Sequence, residues 1–254
     1  MSTCIIAIGP KHSQLSIFAN DTIVTVQSIP TPDIHNILAT YLDAKKPSHV
    51  FIGSEEGGIL RDLETIIDLL YIPIIRLDRS LLSIKGDIDQ LNQISLYTLA
   101  NLYGALHHFP LNDCLVIDIS KETSFDFVTQ QGYHLGGASL PKFTAAESPQ
   151  PWLIKPECAI QKNQQLRLQT GIYYGILGSI ERISAEICLT ADSPSSVKIL
   201  ATGTAIEATR KIDNEKPPDL INDLTDIVDT IDPHLSLWGL YEIFKEHLSN
   251  IQEK

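Results

Sequence analysis

A short three-stranded motif that occurs twice constrains this chain more than any other feature. Cys4 to Ile8, Leu15 to Phe18 and Ile23 to Val26 are apolar, β-branched runs separated by the turn-forming stretches GPKHSQ and ANDT. Such runs and turns predict an antiparallel meander. From Cys114 the order returns as CLVIDIS, SFDFVT and YHLGG, with KET and QQG as the turns. Residues 4 to 27 and 114 to 138 thus read as a weak internal repeat of one supersecondary unit. After the first copy, Ile34 to Leu42 has helical spacing, His49 to Gly53 reads as a buried strand, and Leu60 to Leu70 is helical again, with apolar residues at i, i+3 and i+4. Leu91 to His108 is predicted helical. Beyond the second copy come the Pro-rich connector SPQPWLIKPE, an amphipathic helix from about Gln165 to Leu189, a strand at Val197 to Ala201, a helix after Gly203, an acidic loop and a terminal helix from near Leu235.

A length of 254 residues allows one large domain or two smaller ones, and 43% hydrophobic with 20% charged residues is the balance of a folded globular protein. The formal charge of −12 argues against a general affinity for nucleic-acid phosphates or anionic lipid, and favours a small-molecule ligand. Cys4, Cys114, Cys158 and Cys188 form no CxxC pair, and three of them lie in apolar runs, so buried free thiols are expected rather than metal ligands or disulfides. No apolar stretch reaches the roughly 20 residues of a membrane helix. MSTCIIAIGP carries no basic leader or cleavage site, and a cytoplasmic location is the expectation.

Two α/β halves, each led by a meander, suggest the actin, hexokinase and Hsp70 type of architecture. This is a duplicated actin-like, ribonuclease H-like (ASKHA) α/β fold with two similar lobes. The expected division is 1–92 and 93–254, with the terminal helix free to pack back on the first lobe. In such folds the turn between the first two strands of each half holds nucleotide phosphates in backbone N–H groups, and a strand-end carboxylate holds the metal.

Several ungapped blocks then resemble the type III pantothenate kinases, which phosphorylate pantothenate with ATP in coenzyme A synthesis. DISKETSFD, Asp118 to Asp126, followed by GGASLPK, Gly136 to Lys142, matches the family pattern DxGTAxTxD and GGxIxPG at its spacing. IQKNQQLRLQTGIYYG, Ile160 to Gly175, is similar to IGKNTxxxIQSGxxYG. TGTA, Thr202 to Ala205, stands for TGGxA, and DPHLSLWGL, Asp232 to Leu240, for DPxLTLxGL. The resemblance implies ATP with Mg²⁺ and a monovalent cation, and a homodimer formed through the second half. It assigns Gly9, Lys11, Lys121, Ser124, Thr202 and Gly203 to nucleotide and phosphate, Gly136, Gly137 and Gln164 to substrate, and Asp118 and Asp126 to metal.

The departures fall on the chemistry. The family's first phosphate turn is DxGNT, where this chain has AIGPK: Ala7 replaces the carboxylate, Pro10 removes a backbone donor and Lys11 replaces a hydroxyl. In the second turn Ser120, Lys121 and Glu122 replace Gly, Thr and Ala. Aligning ANLYGA, Ala100 to Ala105, with the helix behind the family's catalytic GxDR block puts Ser95, Tyr97 and Thr98 at its Gly, Asp and Arg. The general base is then missing, and a neutral Tyr forgoes the roughly 10²- to 10⁴-fold such a base supplies. Gln164 also replaces a threonine expected at pantothenate, and Lys142 the last glycine of its motif. Two readings follow: an impaired or inactive pseudo-kinase that binds a pantothenate-like or nucleotide ligand or regulates an active paralogue, or a divergent working kinase that uses Asp87 or Asp89 as base.

Other residues carry competing readings. Asp118 and Asp126 are cation ligands or turn caps, and Lys11 and Lys121 are phosphate-holding point charges or solvated turn residues. His107 and His108 suit a helix C-terminus. Trp238 and Tyr241 are expected in the core. The stripe Ile172, Ile176, Ile180, Ile183 and Ile187 is expected in the core or a subunit interface.

Overall fold

The computed structural model describes residues 2–9, 11–54, 57–120, 122–140, 155–207 and 219–252, with the side chains of 57–58, 88–90 and 252 left aside. The described elements are β1 (Ser2–Ile8), β2 (His12–Ala19), β3 (Thr22–Pro30), α1 (Ile34–Lys45), β4 (His49–Ser54), α2 (Gly57–Asp68), β5 (Ile74–Arg76), α3 (Ile88–Gln93) and α4 (Leu96–His108). They continue with β6 (Cys114–Ile119), β7 (Thr123–Val128), β8 (His134–Leu140), α5 (Gln164–Cys188), β9 (Lys198–Thr202), α6 (Asp219–Leu224), β10 (Thr230–Ile231) and α7 (Leu235–Gln252). A further helix starts at Thr204, where Glu207 N–H meets Gly203 O at 3.1 Å.

The strands form two sheets with one plan. The first has the order β3-β2-β1-β4-β5 and the second, read from the other edge, β8-β7-β6-β9-β10. In each, the first strand pairs antiparallel with the second and parallel with the fourth, as in Ile6 with Leu15 and Ile52, or Val116 with Asp126 and Leu200. A central strand covered on both faces must be apolar at every position, which is why CIIAI and CLVI read as unbroken runs rather than alternating ones. Two compact units result: Met1–Ile84 with Ile88–His107 and Leu235–Lys254, and Lys85–Asp87 with His108–His234. Relative to a division at residue 92, α4 and the terminal helix fall in the first unit.

In the first unit one sheet face buries Cys4, Ile6, Ile8 and Leu15 against Leu38 and Leu42 of α1 and Leu63 and Ile67 of α2. The other face takes α7: Phe18 stacks on Tyr241 at 4.2 Å and meets Trp238 edge-on at 5.2 Å, and Phe51 meets Phe244 at 5.8 Å. Each buried aromatic contributes about 1.5–3 kcal/mol by burial. In the second unit Leu115, Ile117, Phe125 and Phe127 meet Tyr173, Ile176 and Ile180 of α5, with Ile172, Ile183 and Ile187 half-buried around them. The isoleucine stripe therefore packs on its own sheet.

The structure departs from the expected elements in a few places. Leu91 to His108 is not one helix, because Ser95 Oγ accepts the Thr98 N–H at 2.9 Å and starts a new helix at Leu96. Cys158 is exposed, Cys188 half-buried, and only Cys4 and Cys114 are fully buried. Cys158 lies in a polar stretch, and burial of the others followed their apolar neighbours; burial pushes the Cys114 thiol up to about 12. Most of SPQPWLIKPE, together with residues 208–218, lies outside the described residues.

Candidate functional site

The second turn sits where β6 and β9 end and β7 begins. Register places Asp118 opposite Ser124 on one side and Thr202 on the other, all within the second unit. Gly203 follows at φ +117°, and a methyl group there would come within 2.5 Å of both Asp118 Oδ1 and Ile119 O, so only glycine lets the strand end pass so close. Ser120 Oγ donates to Asp118 Oδ1 at 2.5 Å and accepts the Thr204 N–H at 3.1 Å, while Ser120 N–H donates to Glu122 O at 3.1 Å. Thr204 opens a helix, and its N–H is one of the donors that such an end offers to an anion. One hydroxyl thus ties the candidate metal carboxylate to the candidate phosphate donor. A phosphate that takes the Thr204 N–H has to displace the Ser120 hydroxyl from it, while the tie to Asp118 uses one of its two carboxylate oxygens. Lys121 lies outside the described residues.

The first turn is closed by a different set of bonds. Gly9 N–H donates to His12 O at 3.1 Å, Thr31 Oγ1 donates to Gly9 O at 2.7 Å, and Thr31 N–H donates to Lys11 O at 2.9 Å. Ser13 Oγ lies 3.0 Å from Thr31 Oγ1. A methyl at Gly9 would stand 2.7 Å from His12 O, so this glycine is fixed by the hairpin's own tightness. Lys11 is exposed, Ala7 is buried in the sheet at 3% exposure, and Pro10 lies outside the described residues.

At the start of α4 the residues aligned with the GxDR block serve the helix. The Ser95 and Thr98 hydroxyls lie 3.0 Å apart around the cap, and Tyr97 OH reaches Gly53 O at 3.5 Å. Asp87 belongs to the second unit, and the side chain of Asp89 lies outside the described residues.

Asp126 is held by a residue that sequence reasoning did not single out. His134 Nε2 lies 3.2 Å from Asp126 Oδ1, and the two side chains are 3% and 12% exposed. Among the described residues His134 Nδ1 is buried without a hydrogen-bond partner. Val128 pairs with His134 across the β7–β8 hairpin, so His134 is the diagonal neighbour of Asp126, a relation that counting outward from the QQG turn could have suggested. Asp118 and Asp126 share a sheet face by alternation but hold different partners. Among the described residues no group of three or more His, Cys, Asp or Glu is placed to hold a metal.

The substrate-assigned glycines have local reasons for being glycine. Gly136 has φ +104° beside a register shift at Phe127/Val128, and a methyl at Gly137 would run into the Phe125 carbonyl. Gln164 is the exposed first residue of α5, next to the Asn163 cap, whose Oδ1 accepts Gln165 N–H at 2.8 Å. At the far end of α4, His107 Nδ1 lies 3.0 Å from Glu242 and its ring stacks on Trp238, while His108 Nε2 lies 3.0 Å from Asp232. These bonds are ties to neighbouring elements.

The likeness to known proteins agrees with this geometry. The ethanolamine utilization protein EutJ from Carboxydothermus hydrogenoformans matches with a TM-score of 0.51 at 10% identity, over 94% of this chain and 89% of that one. The ROK hexokinase from Thermus thermophilus has a TM-score of 0.45 at 11% identity, over 94% and 97%. At such identities the likeness concerns the fold alone, and the fold is the duplicated, actin-like two-lobe α/β architecture. No helix among the described residues is long and apolar enough to cross a membrane. The type III pantothenate kinase family model matches residues 8–186, more than half of the sequence, and ATP with Mg²⁺ is the general expectation that comes with it. The chain belongs to the type III pantothenate kinase family.

Proposed function

We propose that this member of the family has impaired or absent phosphotransfer and works as a pseudo-kinase that binds a pantothenate-like or nucleotide ligand, or regulates an active paralogue. The observation that carries the reading is the Ser120 hydroxyl, which occupies Asp118 Oδ1 and the Thr204 N–H together. Phosphoryl transfer depends on positioning and on charge neutralisation by metal, and a turn whose own hydroxyl engages one carboxylate oxygen and the helix-start N–H works against both. Ala7 and Tyr97 add the loss of an acid from the first turn and from the base position. The described residues of the two turns are therefore a poor fit to ATP·Mg²⁺.

A working divergent kinase is the second reading, and the observation in its favour is the retained close approach of Asp118 to Gly203 at the strand ends. Thermal unfolding of the full chain with ATP·Mg²⁺ or pantothenate, beside an ADP-release assay, separates the two. Our reading expects stabilisation by at least one of these ligands without turnover. No stabilisation by either would count against a binding role, and pantothenate-dependent turnover would replace our reading by the second.

A further inference from the structure

Leu91 to His108 has helical spacing throughout, yet the chain breaks it between α3 and α4. In an unbroken helix Leu91 O takes the Ser95 N–H and Ile94 O takes the Thr98 N–H. Two side chains serve the break instead. On the donor side, the Thr98 N–H goes to Ser95 Oγ at 2.9 Å. On the acceptor side, Arg79 donates from Nη1 to Leu91 O at 2.5 Å and from Nη2 to Ile94 O at 2.7 Å, the same two carbonyls that the unbroken helix uses. A charged donor makes the stronger kind of hydrogen bond, a cation is favoured at the carbonyl end of a helix, and the planar guanidinium reaches both carbonyls with one side chain. Arg79 is itself held from the sheet. Leu77, just past β5, donates its N–H to Ile52 O of β4 at 2.8 Å, and Asp78 accepts the Ser80 N–H at 2.8 Å through its side chain and the Leu81 N–H at 2.9 Å through its carbonyl. A sequence pattern that favours one helix thus stands against an anchored arginine that favours two, which is the makings of an element with two packings.

We propose that Arg79 is the latch of a helix switch: with its guanidinium on Leu91 O and Ile94 O the two helices stay separate, and with those carbonyls released α3 and α4 join into one. Because α4 is buried from Leu99 to Ala105, α3 is the part that moves, swinging into line with α4 and taking the Ser95 cap apart. Ser95 and Thr98 lie in the block aligned with the family's catalytic GxDR motif, so the state of the latch sets the shape of that block. The inference concerns the chain alone and stands apart from the ligand-binding reading.

Nuclear magnetic resonance of the full chain tests it through the Cα and Cβ shifts of Ser95, because a capping residue has non-helical backbone angles and a residue inside a continuous helix has helical ones. The parent chain is expected to show non-helical shifts at Ser95. Arg79→Ala is expected to move them to helical values while the shifts of Ile52 in β4 stay where they are. Arg79→Lys keeps the charge but offers one nitrogen in place of the fork, and is expected to move Ser95 in the same direction by less. That milder variant decides the matter where the alanine variant does not fold. Ser95 shifts that stay non-helical in the folded variants overturn the inference, as do helical shifts at Ser95 in the parent chain. Unfolding of both variants also overturns it, because a released latch leaves a folded chain with a joined helix.

Discussion

At the scale of single residues, Ser120 controls the second turn. Ser120→Gly deletes the hydroxyl that spans Asp118 and Thr204 N–H, at a stability cost of about 1 kcal/mol for the lost bonds. It is expected to raise the thermal shift produced by ATP·Mg²⁺ above that of the parent chain, and an unchanged or smaller shift would mean that the hydroxyl is not what closes the turn. Asp232 yields a second prediction, through pH. Burial alone pushes its carboxyl up, but hydrogen bonds from His108 and the His234 backbone, with the charges of both, leave it below its ordinary value. A carboxylate depressed in the folded state adds stability that is complete above its unfolded pKa of about 3.9 and disappears as pH falls through the folded value. Asp232→Asn should therefore lower the melting temperature at pH 7, with the gap closing steadily below about pH 4. A gap of equal size at pH 7 and pH 3 would contradict this assignment.

At the scale of elements, two glycines set how closely α4 and α7 pack. A methyl at Gly239 would run into the Ala100 carbonyl, and one at Gly104 into the Leu235 carbonyl. Gly239→Ala is expected to cost about 1–3 kcal/mol in urea unfolding, as overpacking of a tight contact does. Gly175 of α5 is the contrasting case, since a methyl there meets nothing within 4 Å. Gly175→Ala should stabilise an isolated chain by about 0.5–1 kcal/mol through helix propensity. A destabilising result would contradict the open surroundings of Gly175. The meanders were legible in the sequence because strands buried on both faces leave apolar runs between turn residues. β5 and β10 were not, since IIR and TI are too short to carry a period. The α3–α4 break was hidden because Ser95 acts through one capping bond inside an otherwise helical pattern. His134 escaped notice because it stands opposite Val128, diagonal to Asp126 rather than directly across from it.

For the whole molecule, the blocks that carry the family likeness fall at positions with structural work. Asn163 caps α5, Asp232 ties His108 to the start of the last segment, Gly239 lets α7 approach α4, and Gly203 lets β9 end against Asp118. These requirements hold whether or not a phosphoryl group is moved, which is why the fold was readable from those blocks. The candidate site was readable mainly as substitution: Ala7, Ser120 and Tyr97 could be seen to differ, but the bonds that close both turns depend on geometry that spacing does not encode. The central proposal is that the bonds within the two turns leave this chain with impaired or absent phosphotransfer. A coupled ADP-release assay with ATP, Mg²⁺, pantothenate and a monovalent cation, run on the parent chain and on Asp118→Asn, tests it most directly. The account predicts no pantothenate-dependent ADP release from either protein, and pantothenate-dependent turnover that Asp118→Asn abolishes would contradict it.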